Sequence, residues 1–160
     1  MAKAAPLRLW KESILPEWLD YNGHLNEAYY VLIFSHATDA FMSHIGLEPD
    51  AEKRKENSLY TLETHVCYLN ECSGGDEVTV ATRLLGTDAK RYHCFHEMYL
   101  SGSDKLLATA EMIMLHVDMS GPRSAPFPAD VRARLADIRR SHESLPLPAH
   151  VNGAMGLRRR

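Results

Sequence analysis

The spacing of apolar residues changes from helical to alternating partway along the chain. Residues 24 to 46, HLNEAYYVLIFSHATDAFMSHIG, contain no proline and end on a glycine, as a helix with a glycine stop does. Tyr29, Tyr30, Val31, Leu32, Ile33, Phe34, Ala37, Phe41, Met42 and Ile45 are not confined to a narrow stripe, so the spacing predicts a long helix buried on most sides. From Ser58 the repeat becomes two. In SLYTLETHVCYL, Tyr60, Leu62, Thr64, Val66 and Tyr68 share one face and Thr61, Glu63 and His65 the other, which predicts a half-buried strand. EVTVATRLLG from Glu77, RYHCFHEMYL from Arg91 and KLLATAEMIMLHVDM from Lys105 follow, separated by turns at NECSGGD, TDAK and SGSD. Short turns between successive strands predict an antiparallel meander, with the last and most apolar strand inside the sheet.

The ends add three elements. Leu7 to Ile14 reads as an extended lead and a fifth strand, and LEPDAEKRKEN, 47–57, as an exposed connector. Pro128 to Glu143 begins with a proline suited to a first helical turn and spaces Val131, Leu135 and Ile138 for an amphipathic C-terminal helix. The fold expectation is therefore α+β, an antiparallel sheet wrapped around one long central helix, with one domain over 1–144 and a poorly ordered tail over 145–160. Such a sheet leaves an edge strand and a partly covered helix, which a second copy would hide. A homodimer, or a dimer of dimers, is the expected assembly.

Composition narrows the class more than it names an activity. The chain has 160 residues, 45% hydrophobic and 24% charged, with a net charge of −3, which is ordinary globular usage and gives no pull toward nucleic acid. Three cysteines, Cys67, Cys72 and Cys94, lack CxxC spacing, so no disulfide framework is expected and a reducing cytoplasm fits. No run of about 18 apolar residues points to a membrane.

The densest chemistry lies in WLDYNGHLNEAYY, residues 18–30, where Asp20, Asn22, His24 and Asn26 crowd against the start of the apolar helix. Capping alone accounts for part of this: Asp20, Asn22 and Asn26 are good N-cap residues and Asn22-Gly23 is a common turn pair. No GxSxG elbow, P-loop or dinucleotide-binding glycine pattern occurs.

The pattern DxxGHxN from Asp20 to Asn26, followed by an apolar helix carrying Tyr30, resembles the signature of hotdog-fold acyl-CoA thioesterases, the 4-hydroxybenzoyl-CoA thioesterase-like family. Within it, PEWLDYNGHLNEAYYVLIFSHATDAF, 16–41, is similar to the small thioesterases of carnitine breakdown that act on betainyl-CoA. Many relatives carry an acidic residue where this chain has Trp18. The resemblance implies a hydrolase for a short acyl-CoA that needs no cofactor. Asp20 would be general base or nucleophile, and the amides near Gly23 and His24 at the helix mouth would be the oxyanion hole. Asn26 would orient the loop or a water. If the acyl group is betainyl, its quaternary ammonium calls for aromatic faces, for which Trp18, Tyr21, Tyr30, Tyr60 and Tyr68 are candidates. Glu63 lies on the other face from Tyr60 by simple alternation. Arg123, with Lys90 and Arg91, is a candidate for the CoA phosphates. A hotdog hydratase or dehydratase using His24, and a non-catalytic acyl-CoA-binding dimer, stand as alternatives.

Other polar residues read as structural. His36 and Asp39 are spaced to meet on the helix, but no third residue completes a metal site. His93 and His96 fall on opposite faces of a strand, and Cys94 reads as a buried structural thiol.

Overall fold

Asn26 holds an extended backbone while its side-chain Oδ1 accepts the Ala28 N–H at 3.0 Å. This cap starts α1, Glu27–Ile45. In this computed structural model, which describes residues 4–48 and 56–158, α1 ends at Gly46, whose φ of +89° suits a residue without a Cβ and whose N–H reaches the Met42 and Ser43 carbonyls. Residues 49–55 of the predicted connector lie outside the described residues.

The other elements are β1 (Leu7–Ser13), a single 3₁₀ turn (Pro16–Trp18), β2 (Asn57–Tyr68), β3 (Glu77–Thr87), β4 (Arg91–Leu100), β5 (Leu106–Asp118), β6 (Arg123–Ser124) and α2 (Ala129–His142). The sheet runs β1-β3-β4-β5-β2 with antiparallel neighbours, and the short β6 pairs with β5. The α+β expectation, the long helix, the amphipathic C-terminal helix and the interior place of β5 all appear.

Three expectations change. Only one stripe of α1 is buried: Tyr30, Ile33, Phe34, Ala37, Thr38, Phe41, Met42 and Ile45 meet the sheet, whereas Val31 is 44% and Leu32 37% exposed. One sheet of one chain covers only one side of a helix.

The meander holds from β3 to β5 but not from β2 to β3. NECSGGD, residues 70–76, is a crossover that carries the chain from one edge of the sheet past two strands. It is held by loop contacts rather than by a hairpin. Leu25 N–H donates to Cys72 O at 2.9 Å, Ile14 N–H to Asp76 O at 2.8 Å, and Ser73 N–H to Asp76 Oδ2 at 2.8 Å.

The third change is within β2. Thr61 faces Met114 and Glu63 faces Ile113, so Leu62 is an extra residue in a β-bulge. Alternation is reset there. Thr64, Val66 and Tyr68 share the face of Met112, Ala110 and Ala108, which meets α1. Tyr60 shares the opposite face with Glu63 and His65, and so is separated from Tyr68 and joined to Glu63, contrary to the simple alternation.

That opposite face is covered in part by residues 145–158, expected to be a loosely held tail. They contain no helix or strand, and Asn152 N–H donates to the buried Glu111 Oε2 at 2.6 Å, whose other oxygen pairs with His93 Nε2 at 2.7 Å. Arg83 Nη1 donates to Pro146 O at 2.6 Å, and Met155 is buried. No helix among the described residues is long and apolar enough to cross a membrane.

Candidate active site

The turn before α1 is organised by the Asp20 carboxylate. Its Oδ1 accepts N–H from Asn22 at 2.8 Å and from His24 at 3.2 Å, while Asp20 N–H donates to His24 O at 2.8 Å and Gly23 N–H to Asp20 O at 3.0 Å. Gly23 sits at φ +77°, which the tight turn requires. The bonds to Oδ1 fix the carboxylate's orientation and leave Oδ2 without a partner among the described residues.

These bonds correct the expected oxyanion hole. The Gly23 and His24 amides are consumed by the turn, Leu25 N–H goes to Cys72 O, and Asn26 N–H goes to Trp18 O at 2.9 Å. Ala28 N–H is taken by the Asn26 cap. The Glu27 N–H, first in α1, has no acceptor among the described residues, and the positive end of the helix dipole adds to its donor strength.

Asp20 and Glu27 line one cavity of about 740 Å³ together with Tyr21, His24, Leu25, Asn26, Tyr30, Tyr68, Leu69, Asn70 and Glu71. Five of the sequence candidates thus meet Asp20 here: His24, Asn26, Tyr21, Tyr30 and Tyr68. The Tyr30 hydroxyl donates to Asn70 O at 3.2 Å and lies 3.9 Å from Cys72 Sγ. Burial raises the pKa of both Tyr30 and Cys72, so both are neutral near pH 7. The Tyr68 hydroxyl donates to Glu27 O at 3.3 Å, and burial, then the Glu27 charge, raises its pKa.

Three candidates fall elsewhere. Trp18 is buried and stacked on Tyr29, centroids 5.3 Å apart, so it supports the loop rather than the cavity. Tyr60 is on the far face of the sheet because of the bulge. Arg123, on β6, pairs loosely with Asp118 at 4.0 Å. Lys90 and Arg91 line a second cavity of about 670 Å³ with Ser124, toward the end of β5 opposite the Asp20 cavity, since Arg91 faces Leu115 while Asn70 bonds Leu106 O. Arg91 is already held by two bonds to Asp88 Oδ2, at 2.9 and 2.7 Å.

The helix and strand histidines are structural, with one change of partner. His36 Nδ1 meets Glu12 at 2.9 Å and not Asp39. His96 is buried between Thr82 Oγ1 at 2.9 Å and Thr38 Oγ1 at 3.1 Å, and burial lowers its pKa to about 4. His93 points to the opposite face, toward Glu111. Cys94 is buried and its thiol is pushed up to about 12 by that burial, so it is no nucleophile. Among the described residues no cluster of three or more His, Cys, Asp or Glu could hold a metal ion.

Sequence reasoning missed Glu27, Asn70 and Glu71. The Glu27 amide could have been found by counting from the Asn26 cap. The other two reach the cavity through the crossover, which no local pattern announces.

A carboxylate and a free helix-mouth amide beside a long helix wrapped by an antiparallel sheet define a hotdog thioester hydrolase. The chain belongs to the thioesterase-like superfamily, whose family model matches residues 14–135. It is 48% identical over 151 residues to a betainyl-CoA thioesterase of Pseudomonas aeruginosa, spanning 94% of this chain and 95% of that one. Its fold is similar to a crystal structure from Pseudomonas putida assigned as a thioesterase, with a TM-score of 0.82, 39% identity and coverage of 97% and 99% of the two chains. It is also similar to a Staphylococcus aureus protein solved in complex with CoA, with a TM-score of 0.83, 25% identity and coverage of 99% and 100%.

Proposed function

We propose that the protein hydrolyses betainyl-CoA to betaine and CoA, with Asp20 acting at the acyl carbon and the Glu27 N–H receiving the oxyanion. The observation that carries this is the meeting of Asp20 and the unpaired Glu27 amide on one cavity. Hydrolysis needs an oxygen delivered to the carbon and a donor for the negative oxygen that develops. The free Oδ2 supplies the first, either directly or by taking a proton from water, and the helix-mouth amide supplies the second. Asn26 caps the helix that aims this amide, and Gly23 allows the turn that aims the carboxylate. His24 lines the cavity and helps to shape its mouth. The 48% identity to a betainyl-CoA thioesterase supports the acyl group, and the CoA-bound relative supports the carrier.

The working unit is a homodimer in the cytoplasm. Among the described residues, edge strand β2 has one side unpaired, and Tyr60, Leu62 and Tyr68 on it are each 45 to 50% exposed, as are Val31 and Leu32 to a slightly lesser extent on α1. A second copy would bury both features. The free cysteines fit a reducing compartment.

The test is release of free thiol across an acyl-CoA panel, with Asp20→Asn as control. Turnover highest on betainyl-CoA and lost in the variant is the expected result. Equal activity in Asp20→Asn would remove Asp20 from the chemistry, and equal rates on all short acyl groups would remove the betainyl assignment. Light scattering that gives only monomer mass at micromolar concentration would remove the dimer.

A further inference from the structure

A betainyl thioester leaves little freedom in where its charge can sit. The quaternary nitrogen is one methylene away from the acyl carbon, so a carbon within reach of Asp20 keeps the cation inside the same cavity. We propose that Tyr30, Tyr68 and the carboxylate of Glu71 form the subsite that selects a quaternary ammonium acyl group, an inference that rests on the thioesterase reading above.

The two rings stand at right angles, 88° apart with centroids 5.4 Å from each other, and both line the cavity. Their hydroxyls are engaged, Tyr30 on Asn70 O and Tyr68 on Glu27 O, so the rings are held by both ends. A trimethylammonium group has no proton to donate and is bound by ring faces and by nearby negative charge. The rings pack edge to face, with Tyr30 buried and Tyr68 half exposed, so the Tyr68 ring is the open aromatic surface that matches that need and Tyr30 backs it, whereas a hydroxyl free to rotate would favour a hydrogen-bonding acyl group.

Charge points the same way. The lining residues include three acidic ones, Asp20, Glu27 and Glu71, and no lysine or arginine, and the Glu71 charge is close enough to help raise the pKa of Tyr30. Lys105 is near, but its Nζ donates to the main-chain oxygen of Glu71 at 3.0 Å and does not line the cavity. The positive end of α1 opens on this space and by itself repels a cation. An acidic residue in the first helical turn suits that dipole in any protein, so Glu27 is only weakly diagnostic. Glu71 is different. It lies on the crossover outside any helix, is exposed, and its carboxylate has no ion-pair partner among the described residues. A neutral acyl group would gain nothing from it.

The experiment compares kcat/KM for betainyl-CoA with that for 3,3-dimethylbutyryl-CoA, in which carbon replaces nitrogen at nearly constant shape. The ratio of the two is measured in wild type, Glu71→Gln, Tyr68→Leu and Tyr68→Phe, so that the greater intrinsic reactivity of the cationic thioester cancels between proteins. The ratio is expected to fall about tenfold in Glu71→Gln and in Tyr68→Leu and to be kept in Tyr68→Phe, which retains the ring. A residue that only holds the fold would lower both rates together and leave the ratio. Calorimetric binding of tetramethylammonium gives a readout independent of turnover, and should weaken about tenfold in the same two variants. Ratios and affinities within twofold of wild type in both would overturn the subsite. Absence of thiol release from every acyl-CoA would instead overturn the thioesterase reading, and the tetramethylammonium titration would still decide the subsite.

Discussion

The hydroxyl of Tyr68, at the end of edge strand β2, donates to the main-chain oxygen of Glu27, the first residue of α1, at 3.3 Å. This bond links the strand wall of the cavity to the helix turn whose amide is proposed to receive the oxyanion. Removing it in Tyr68→Phe leaves the ring in place and frees its outer end. KM is expected to rise a few-fold on charged and neutral substrates alike, with a stability change of no more than about 1 kcal/mol because the bond is exposed. Steady-state kinetics and urea denaturation check both statements.

Asp20→Asn is expected to separate structure from chemistry. The amide oxygen can still accept the Asn22 and His24 N–H groups, so the turn persists. Loss of the carboxylate should cost about 10²- to 10⁴-fold in kcat, with an unchanged melting temperature. Single turnover in oxygen-18 water then distinguishes the two roles of the wild-type carboxylate. Label in Asp20 marks a nucleophile, because a carboxylate that only activates water gains none.

The ends of α1 are set by single residues, and each predicts its own cost. Asn26→Ala removes the acceptor for Ala28 N–H and should cost about 1 kcal/mol, and kcat should fall as the Glu27 amide loses its fixed direction. Gly46→Ala puts a Cβ on a backbone at φ +89° and against the Arg134 guanidinium. That side chain can swing away, but doing so loses its 3.1 Å bond to Ile45 O. A cost of about 1 to 2 kcal/mol is expected from the backbone alone, read as a lower melting temperature with little change in KM.

Acid should weaken the fold through His96. Its folded pKa of about 4 lies below the ordinary histidine value near 6.5 because burial disfavours the charged ring. The unfolded chain therefore takes up a proton that the folded one resists. The stability contribution is full above about pH 6.5, falls as pH drops through the interval, and levels off below about pH 4. Roughly 2 kcal/mol should be lost between pH 7 and pH 5 from this group. His142, also lowered by burial while its Nδ1 accepts Leu84 N–H at 3.0 Å, acts in the same direction. Urea denaturation at the two pH values, in wild type and His96→Gln, tests this. An equal acid loss in both proteins would remove His96 as the cause.

What could be seen in the sequence was local. Asn26, the apolar stretch behind it and Gly46 announce α1 because caps and helical spacing act over a few residues, and the cluster from Asp20 to Asn26 announces the candidate site for the same reason. What could not be seen depends on pairings far apart in the chain. Tyr68 faces Ala108, so β2 adds to the sheet beside β5 and residues 70–76 cross over, bringing Glu71 to the cavity. His36 finds Glu12, 24 residues earlier, in place of its helical neighbour Asp39. The Gly23 and His24 amides lie where the spacing puts them, but the Asp20 turn uses both.

The extra residue at Leu62 gives β2 two separate histories. Below it, Thr64, Val66 and Tyr68 answer to the cavity and the helix; above it, Tyr60 answers to the opposite surface. Tyr60, Glu63 and His65 thus form one outer surface across the bulge, free to diverge and to take on neighbours of its own without changing Thr64, Val66 and Tyr68 on the face that meets α1.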